Sequence, residues 1–347
     1  MNRLPVIEYK CSNCGSGMEY DTYSEMLTCH SCGRQDNIQD MQDPMTKYVF
    51  TEEDAAEEYH CHSCGAVIIT EAETSATSCS FCGSAVVLGD RLKGNLAPVK
   101  IIPFAISKEE AVMEFKRWCG KGLITPKGFM SANRIKGITG MYVPFWLYDL
   151  QNEIEVHGRA TKVSKYRSGD YDYTETAHYD FYREICLDYI KVPADASAKM
   201  TDEIMDKLEP FPYEKLENFK TPYLAGYVAE TYSYDEEELL PRVKEKIKEY
   251  IFEFIDSTVT EYTSAKYDKV HIHTETQRAD YVLLPVWVLH YDYNKLEYTF
   301  AMNGQTGKVV GKPPISKSKV FAWFAGLSAI FFLVFQLVSY LYIGGKF

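Results

Sequence analysis

Eight of the ten cysteines in this chain of 347 residues occur as four C-x-x-C pairs. Two thiolates at this spacing can bind one metal ion, and two such pairs complete a tetrahedral zinc site. The chain opens without an apolar run, so we expect no signal peptide and a reducing compartment, where paired thiols bind zinc instead of forming disulfides. The predicted zinc ligands are Cys11, Cys14, Cys29, Cys32, Cys61, Cys64, Cys79 and Cys82.

The four pairs form two copies of one motif, offset by 50 residues, and a glycine follows each pair. Cysteine knuckles of this kind, separated by a short hairpin, are typical of zinc ribbons. We predict one ribbon at residues 1–40 and a second at 59–97, joined by an acidic connector at 41–58. Four thiolates leave no position for water, so both zinc ions are expected to be structural. The neighbouring His30, His60 and His62 are predicted to be exposed, because four cysteines already complete each site.

The charge balance argues against nucleic acid as a partner. The chain carries 37 basic and 49 acidic side chains, a net charge of −12, and residues 1–97 account for −9 of it. Zinc ribbons that bind nucleic acid do so through basic faces, whereas these ribbons are acidic. We therefore interpret them as protein-binding or spacing modules.

The middle region, residues 98–315, is predicted to be α+β. Ser107 and Glu110 form a capping box that begins one helix, and a longer helix begins near Asp235–Glu238. Aromatic strands follow each helix, the first predicted as a strand pair around the P-x-W segment 144–146 and the second around 285–287. The shared order of elements suggests an internal repeat with halves at about 100–214 and 215–315. Cys119 and Cys186 are both expected to be buried.

A search for catalytic groups in the middle region yields no active site. Residues 304–308 resemble part of a phosphate-binding loop but lack its full spacing, so they are predicted to form a hairpin turn. His271 and His273 share one strand face and could bind a metal, although no second ligand cluster completes the shell. We therefore expect a protein that is not an enzyme.

The C-terminal residues 320–343 contain no charged side chain over 24 positions, which is long enough to span a bilayer as a helix. Four lysines (Lys308, Lys312, Lys317 and Lys319) precede the segment and only Lys346 follows it. By the positive-inside rule, the N-terminal body lies in the cytosol. The sequence predicts a single-pass, tail-anchored protein of the cytoplasmic membrane. A buried core helix is the alternative interpretation.

Two C-x-x-C ribbons, an aromatic middle region bearing VPFWLYD and a C-terminal span together resemble the bacterial YdjG-like proteins, which are often labelled as TFIIB-type zinc ribbon proteins. The resemblance covers the whole chain. It implies a membrane complex with an SPFH-domain protein that recruits phage-shock protein A during envelope stress. It assigns no partner-contact residue.

Three hypotheses follow. The first is a non-enzymatic, membrane-anchored zinc-ribbon scaffold or adaptor. The second is a zinc-ribbon protein of replication or transcription type that binds nucleic acid at the membrane, which the acidic balance disfavours. The third is a membrane-bound metalloenzyme that uses His271 and His273 and would hold more than two metal ions.

Overall fold

The computed structural model describes residues 6–43, 59–68, 70–92, 94–126, 129, 135–293 and 296–344. The protein is α+β, as predicted, with two cysteine clusters in small strand regions and one apolar helix near the C-terminus. Residues 44–58, which make up most of the predicted acidic connector, lie outside the described residues.

The described elements are sixteen strands and four α-helices. The strands are β1 (Val6–Ile7), β2 (Glu19–Asp21), β3 (Met26–Thr28), β4 (Gln35–Asp36), β5 (Tyr59–His60), β6 (Val67–Ile68), β7 (Thr74–Ser78), β8 (Ala85–Leu88), β9 (Lys100–Ile101), β10 (Ile135–Ser168), β11 (Tyr171–Asp195), β12 (Glu217–Asn218), β13 (Val228–Glu230), β14 (Ser264–Tyr293), β15 (Leu296–Asn303) and β16 (Val309–Gly311). The helices are α1 (Lys108–Gly120), α2 (Asp202–Leu208), α3 (Glu236–Ser257) and α4 (Lys317–Gly344).

The chain forms two compact units. The first contains Met1–Pro103, Tyr142–Asp206 and Pro212–Leu284, so both cysteine clusters belong to it. The second contains Phe104–Met141, Lys207–Phe211 and Pro285–Phe347. The predicted boundaries at 40, 58, 97 and 315 stay a prediction.

In the first unit, the strands of the second ribbon extend the large sheet. The strand order runs β1-β8-β7-β13-β10-β14, and β11 pairs with β10. The first ribbon instead has its own sheet, β2-β3-β4, which contains the predicted hairpin. In the second ribbon, β6 pairs with β5, whereas β7 pairs with β8 and β13, so the hairpin expected between its knuckles is replaced by pairing into the large sheet.

Helix α3 covers one face of the long β10–β11 hairpin. Its buried side chains Val243, Ile247, Ile251 and Ile255 recur every four residues and form an apolar stripe. The neighbouring Phe254 lies outside this stripe and is 43% exposed.

Two expectations about this hairpin were wrong. The aromatic segment around Pro144 and Trp146 is one continuous strand, β10, rather than a strand pair. Cys186 is exposed, because strand alternation directs Ile185 into the core and the next side chain to solvent. Cys119, on α1, is buried as expected.

The second unit packs α1 and the strands β15 and β16 around aromatic side chains. Helix α1 begins with the predicted capping box, in which Ser107 and Glu110 bond to each other's backbone N–H groups. Phe129 is buried against the rings of Tyr291, Tyr298 and Phe300. Residues 304–308 form the turn between β15 and β16, as predicted.

The two P-x-W tryptophans make the same bond, each within its own unit. The indole N–H of Trp146 donates to the carbonyl of Tyr234 at 3.0 Å, and that of Trp287 donates to the carbonyl of Ile106 at 3.0 Å. Each carbonyl belongs to the residue immediately before the N-cap of a helix that begins with a capping box, α3 or α1.

The backbone around the two prolines also matches. The N–H of Ala196 donates to the Pro144 carbonyl at 3.0 Å, and the N–H of Gly304 donates to the Pro285 carbonyl at 2.8 Å. The strand register agrees as well, since Trp146 pairs with Ala194 and Trp287 with Met302. This shared bonding is what a duplicated substructure would produce, while the halves at 100–214 and 215–315 stay a prediction.

Candidate metal centres

Each predicted set of four cysteines comes together in space, with all four sulfur atoms within 4.8 Å of one another. The Sγ–Sγ distances are 3.5 Å for Cys11–Cys32 and Cys14–Cys29, 3.6 Å for Cys61–Cys82 and 3.8 Å for Cys64–Cys79. Zinc–thiolate bonds of about 2.3 Å in a tetrahedron require sulfur atoms about 3.8 Å apart. The thiol donor set and its geometry therefore fit one zinc ion in each cluster.

Four similar turns hold these sulfur atoms in place. In the first turn, the N–H of Gly15 donates to the carbonyl of Cys11 at 2.8 Å, and the N–H of Cys11 donates to the carbonyl of Ser16 at 2.7 Å. The other three knuckles repeat both bonds. The glycines after the pairs have φ of +75° to +77°, a conformation that side chains with a Cβ rarely adopt.

The two clusters share one burial pattern. The first cysteine of each pair is buried and the second is exposed. Hydrogen bonds with Ser16, the larger effect from its backbone and the smaller from its side chain, lower the pKa of Cys14 to about 6. Those with the side chain and backbone of Ser84 lower the pKa of Cys82 to about 6. Each cluster thus favours a thiolate, the form that binds metal, on its exposed side.

Glu8, which the sequence analysis did not single out, bonds the start of the first ribbon to the first knuckle of the second. Its carboxylate accepts the backbone N–H of His62 at 2.7 Å and that of Ser63 at 3.1 Å, and it accepts the Ser63 hydroxyl at 2.6 Å. The side chain is only 5% exposed and lies 3.5 Å from the Lys10 ammonium. Burial raises the pKa of Glu8, but these hydrogen bonds together lower it by more. The net pKa therefore lies below the ordinary value, and the carboxylate stays ionised.

Strand β1 reinforces the same connection, because Val6 and Ile7 pair with Leu88 and Val87 of β8. The residues before the first knuckle are therefore part of the second ribbon's sheet. The two ribbons are joined by backbone bonds as well as by Glu8.

The first ribbon docks on residues 217–225 of the same unit. The hydroxyl of Tyr9, beside the first knuckle, bonds to the Thr221 hydroxyl at 2.6 Å, and Thr221 is fully buried. The Asp43 carboxylate accepts both the N–H and the hydroxyl of Thr221, at 2.9 and 2.8 Å. Lys220 donates to the carbonyls of Ile38 and Gln39.

The second ribbon docks on the residues that follow. Strand β7 pairs with β13, and the N–H of Thr231 donates to the carbonyl of Glu73 at 2.7 Å. Lys199 bridges Glu71 of the ribbon at 2.5 Å and the buried Glu230 at 2.9 Å. Both ribbons are thus fixed to one segment, residues 217–231. Sequence alone carries no signal for these contacts, because the partners lie more than 120 residues apart.

The remaining histidines stand apart from the clusters. His30 and His62 are exposed, as predicted, whereas His60 is half-buried. His271 and His273 are exposed on β14. Among the described residues, the groups that bring three or more metal-ligating side chains together are the two cysteine clusters.

Helix α4 is long and apolar enough to cross a membrane, and none of its most apolar window is buried within the protein. Its start is bonded within the second unit. The N–H of Ser316 donates to the carbonyl of Ile124 at 2.8 Å, and Lys319 donates to the carbonyl of Thr125 at 2.7 Å. An apolar helix that is not buried in the protein is compatible with a single-pass anchor and does not fit the alternative of a buried core helix.

No family model matches this chain, and no solved structure matches it. It is 57% identical over 340 residues to the uncharacterized protein YdjG of Bacillus subtilis (strain 168), an alignment that covers 98% of this chain and 99% of that protein. This identity over nearly the full length shows that the chain belongs to the YdjG-like family.

Proposed function

We propose that this protein is a non-enzymatic scaffold, anchored in the cytoplasmic membrane by α4, with two structural zinc ions in its cytosolic ribbons. The observation that carries the proposal is that both cysteine clusters are complete four-thiol sets inside ribbons docked on residues 217–231. A zinc ion with four protein thiolates has no open position for substrate or water. Its contribution is to hold the ribbons folded, since such small modules depend on their metal.

The orientation rests on charge. Lys308, Lys312, Lys317 and Lys319 precede the apolar segment and Lys346 follows it. Because lysines are retained on the cytosolic side, the ribbons and both compact units would face the cytosol. That compartment keeps thiols reduced and available for zinc.

For the partners, we propose an SPFH-domain membrane protein and phage-shock protein A, which the scaffold would bring together during envelope stress. The support for these partners is the family resemblance. The acidic ribbons argue for proteins over nucleic acid, since residues 1–97 carry a net charge of −9.

The test is affinity purification of the full-length protein from gently solubilised native membranes, followed by mass spectrometry of the co-eluting proteins. We expect an SPFH-domain protein and phage-shock protein A to co-elute with the natural chain. Recovery should fall when Cys61→Ser and Cys64→Ser remove two ligands of the second cluster.

Cys119→Ser is the matched control, because it changes a buried cysteine outside the clusters and should leave recovery unchanged. Co-elution of nucleic-acid machinery in place of membrane proteins, lost on nuclease treatment, would contradict the proposal. So would unchanged recovery of both partners after loss of the second cluster, because the ribbons would then have no part in assembly.

A further inference from the structure

The β10–β11 hairpin extends past the end of α3 as a two-stranded arm with two unlike faces. Directly opposed residues of an antiparallel pair share one face. Because Ala160 pairs with Tyr179 and Tyr166 with Tyr173, one face holds the even-numbered residues of β10 and the odd-numbered residues of β11. Up to Ala160 and Phe181 this face is buried, and α3 packs against β11 there.

Beyond that point the same face is largely exposed, although Tyr179 at its start contacts the ring of Tyr262, with centroids 5.4 Å apart. We call the even positions of 160–168 and the odd positions of 171–179 the arm face. Its tyrosines Tyr166, Tyr171, Tyr173 and Tyr179 are 53, 71, 46 and 43% exposed. The rings of Tyr166 and Tyr173 stack with centroids 5.4 Å apart.

The opposite face of the arm is charged instead of aromatic. It carries Arg159, Lys165, Arg167, Asp172 and Asp180. A two-stranded ribbon with one aromatic face is marginally stable by itself and gains stability when that face is covered. Tyrosine is also among the residue types enriched in protein interfaces.

The charges of the arm face are balanced, which makes the face complementary to itself. Within residues 160–168 and 171–179, Lys162 and Glu175 are the charged positions on this face, one of each sign. In a two-fold interface, residue i of one copy meets residue j of the other and j meets i, so such a face is complementary to itself. Residues 159–180 hold four basic and four acidic side chains, so two arms can approach although each chain carries −12.

We propose that the arm face is a homodimer interface, which packs against the arm face of a second copy of this chain. Lys162 of each copy lies opposite Glu175 of the other, and the tyrosines form the buried centre. A lipid surface is a poorer fit, because binding to anionic headgroups requires a cluster of cations and the arm face has one.

The test measures the mass of the full-length protein in detergent by light scattering and sedimentation, over a wide range of concentration. We expect the natural chain to be a dimer. Lys162→Glu and Glu175→Lys, made singly, each place like charges opposite each other, and each should raise the dimer dissociation constant at least about tenfold.

Mixing the two single variants separates contacts between chains from contacts within one chain. In a mixed dimer, Lys162→Glu in one copy and Glu175→Lys in the other restore an opposite-charge pair at both positions. Within each chain the like charges remain. The mixture should therefore dimerise, and a mixture that stays monomeric would overturn the proposal.

Lys165→Glu is the matched control, since it reverses a charge at the same depth of the arm but on the opposite face. It should dimerise like the natural chain. A monomeric natural chain would overturn the proposal.

Discussion

At the scale of single residues, Asp195 is a buried carboxyl at the end of β11. It is 1% exposed, and its Oδ1 accepts the N–H of Ser197 at 3.1 Å while Oδ2 has no hydrogen-bond partner. Asn303 occupies the matching position after the second P-x-W strand, and its amide donates to the carbonyl of Leu208 at 3.1 Å. A neutral side chain therefore suits this position.

The pKa of Asp195 agrees with that comparison. Burial raises this pKa to about 7, and the negative charges of Asp202 and Asp206 on α2 also raise it. The hydrogen bond from Ser197 and the positive charge of Arg242 on α3 lower it by less. In the unfolded chain the pKa is about 3.9. Between these values the folded state holds a proton that the unfolded state has lost, so rising pH lowers the free energy of unfolding.

We predict that Asp195→Asn removes this dependence, because an amide has no proton to lose. The thermal midpoint of the natural protein should fall between about pH 4 and pH 7 more steeply than that of the variant. The exposed Asp172→Asn is the control and should follow the natural protein. Parallel curves for Asp195→Asn and the natural protein would contradict the assignment.

Glu8 provides a second test at this scale. Glu8→Ala leaves the N–H groups of His62 and Ser63 without their carboxylate acceptor. We expect a loss of about 1–3 kcal/mol in the free energy of unfolding and faster hydrogen exchange in residues 59–68, with zinc content unchanged. The exposed Glu25→Ala is the control, and equal exchange rates in both variants would show that Glu8 does not hold the knuckle.

At the scale of elements, local sequence patterns predicted the features that depend on local hydrogen bonds, such as where a helix begins. The capping box of Ser107 and Glu110 predicted where α1 begins, and the longer helix predicted to begin near Asp235–Glu238 is α3, which the structure shows to have a capping box of its own. Long-range pairing was not predictable in this way. Strand β7 pairs with β8 of its own ribbon and also with β13, about 150 residues away, and nothing in its sequence specifies that second partner.

The two tryptophan bonds give a prediction for the repeated substructure. Trp146→Phe and Trp287→Phe each remove an indole N–H that donates to the carbonyl before a helix N-cap. Each should lower the free energy of unfolding by about 1–3 kcal/mol, through the unpaired carbonyl and the lost volume. The measurement is the thermal midpoint of each variant. A loss from one variant and none from the other would show that the two bonds are not equivalent.

At the scale of the whole molecule, we propose that α4 attaches the protein to the membrane. Leu327→Arg combined with Val334→Arg places two charges within the apolar window of the helix. Each arginine costs about 2.5–3.5 kcal/mol at the centre of a span, so the double variant should leave the membrane fraction. Ser318→Arg, ahead of the apolar segment, is the control and should stay. Retention of the double variant through alkaline extraction would contradict anchoring by α4.

The cysteine spacing alone predicted both clusters, because C-x-x-C knuckles form from contiguous residues. It could not predict that the two ribbons are bonded to each other and dock on one segment, residues 217–231. That arrangement depends on Glu8, Lys199 and Thr221, which come from three distant parts of the chain and have no distinctive local pattern.

Zinc stoichiometry tests the central claim most directly. The metal content of the full-length protein, purified in detergent under reducing conditions, should be about two zinc ions per chain and about one after Cys11→Ser with Cys14→Ser. The same double variant should unfold the first ribbon while α4 keeps the protein in the membrane. Two zinc ions in that variant, or none in the natural protein, would contradict the account.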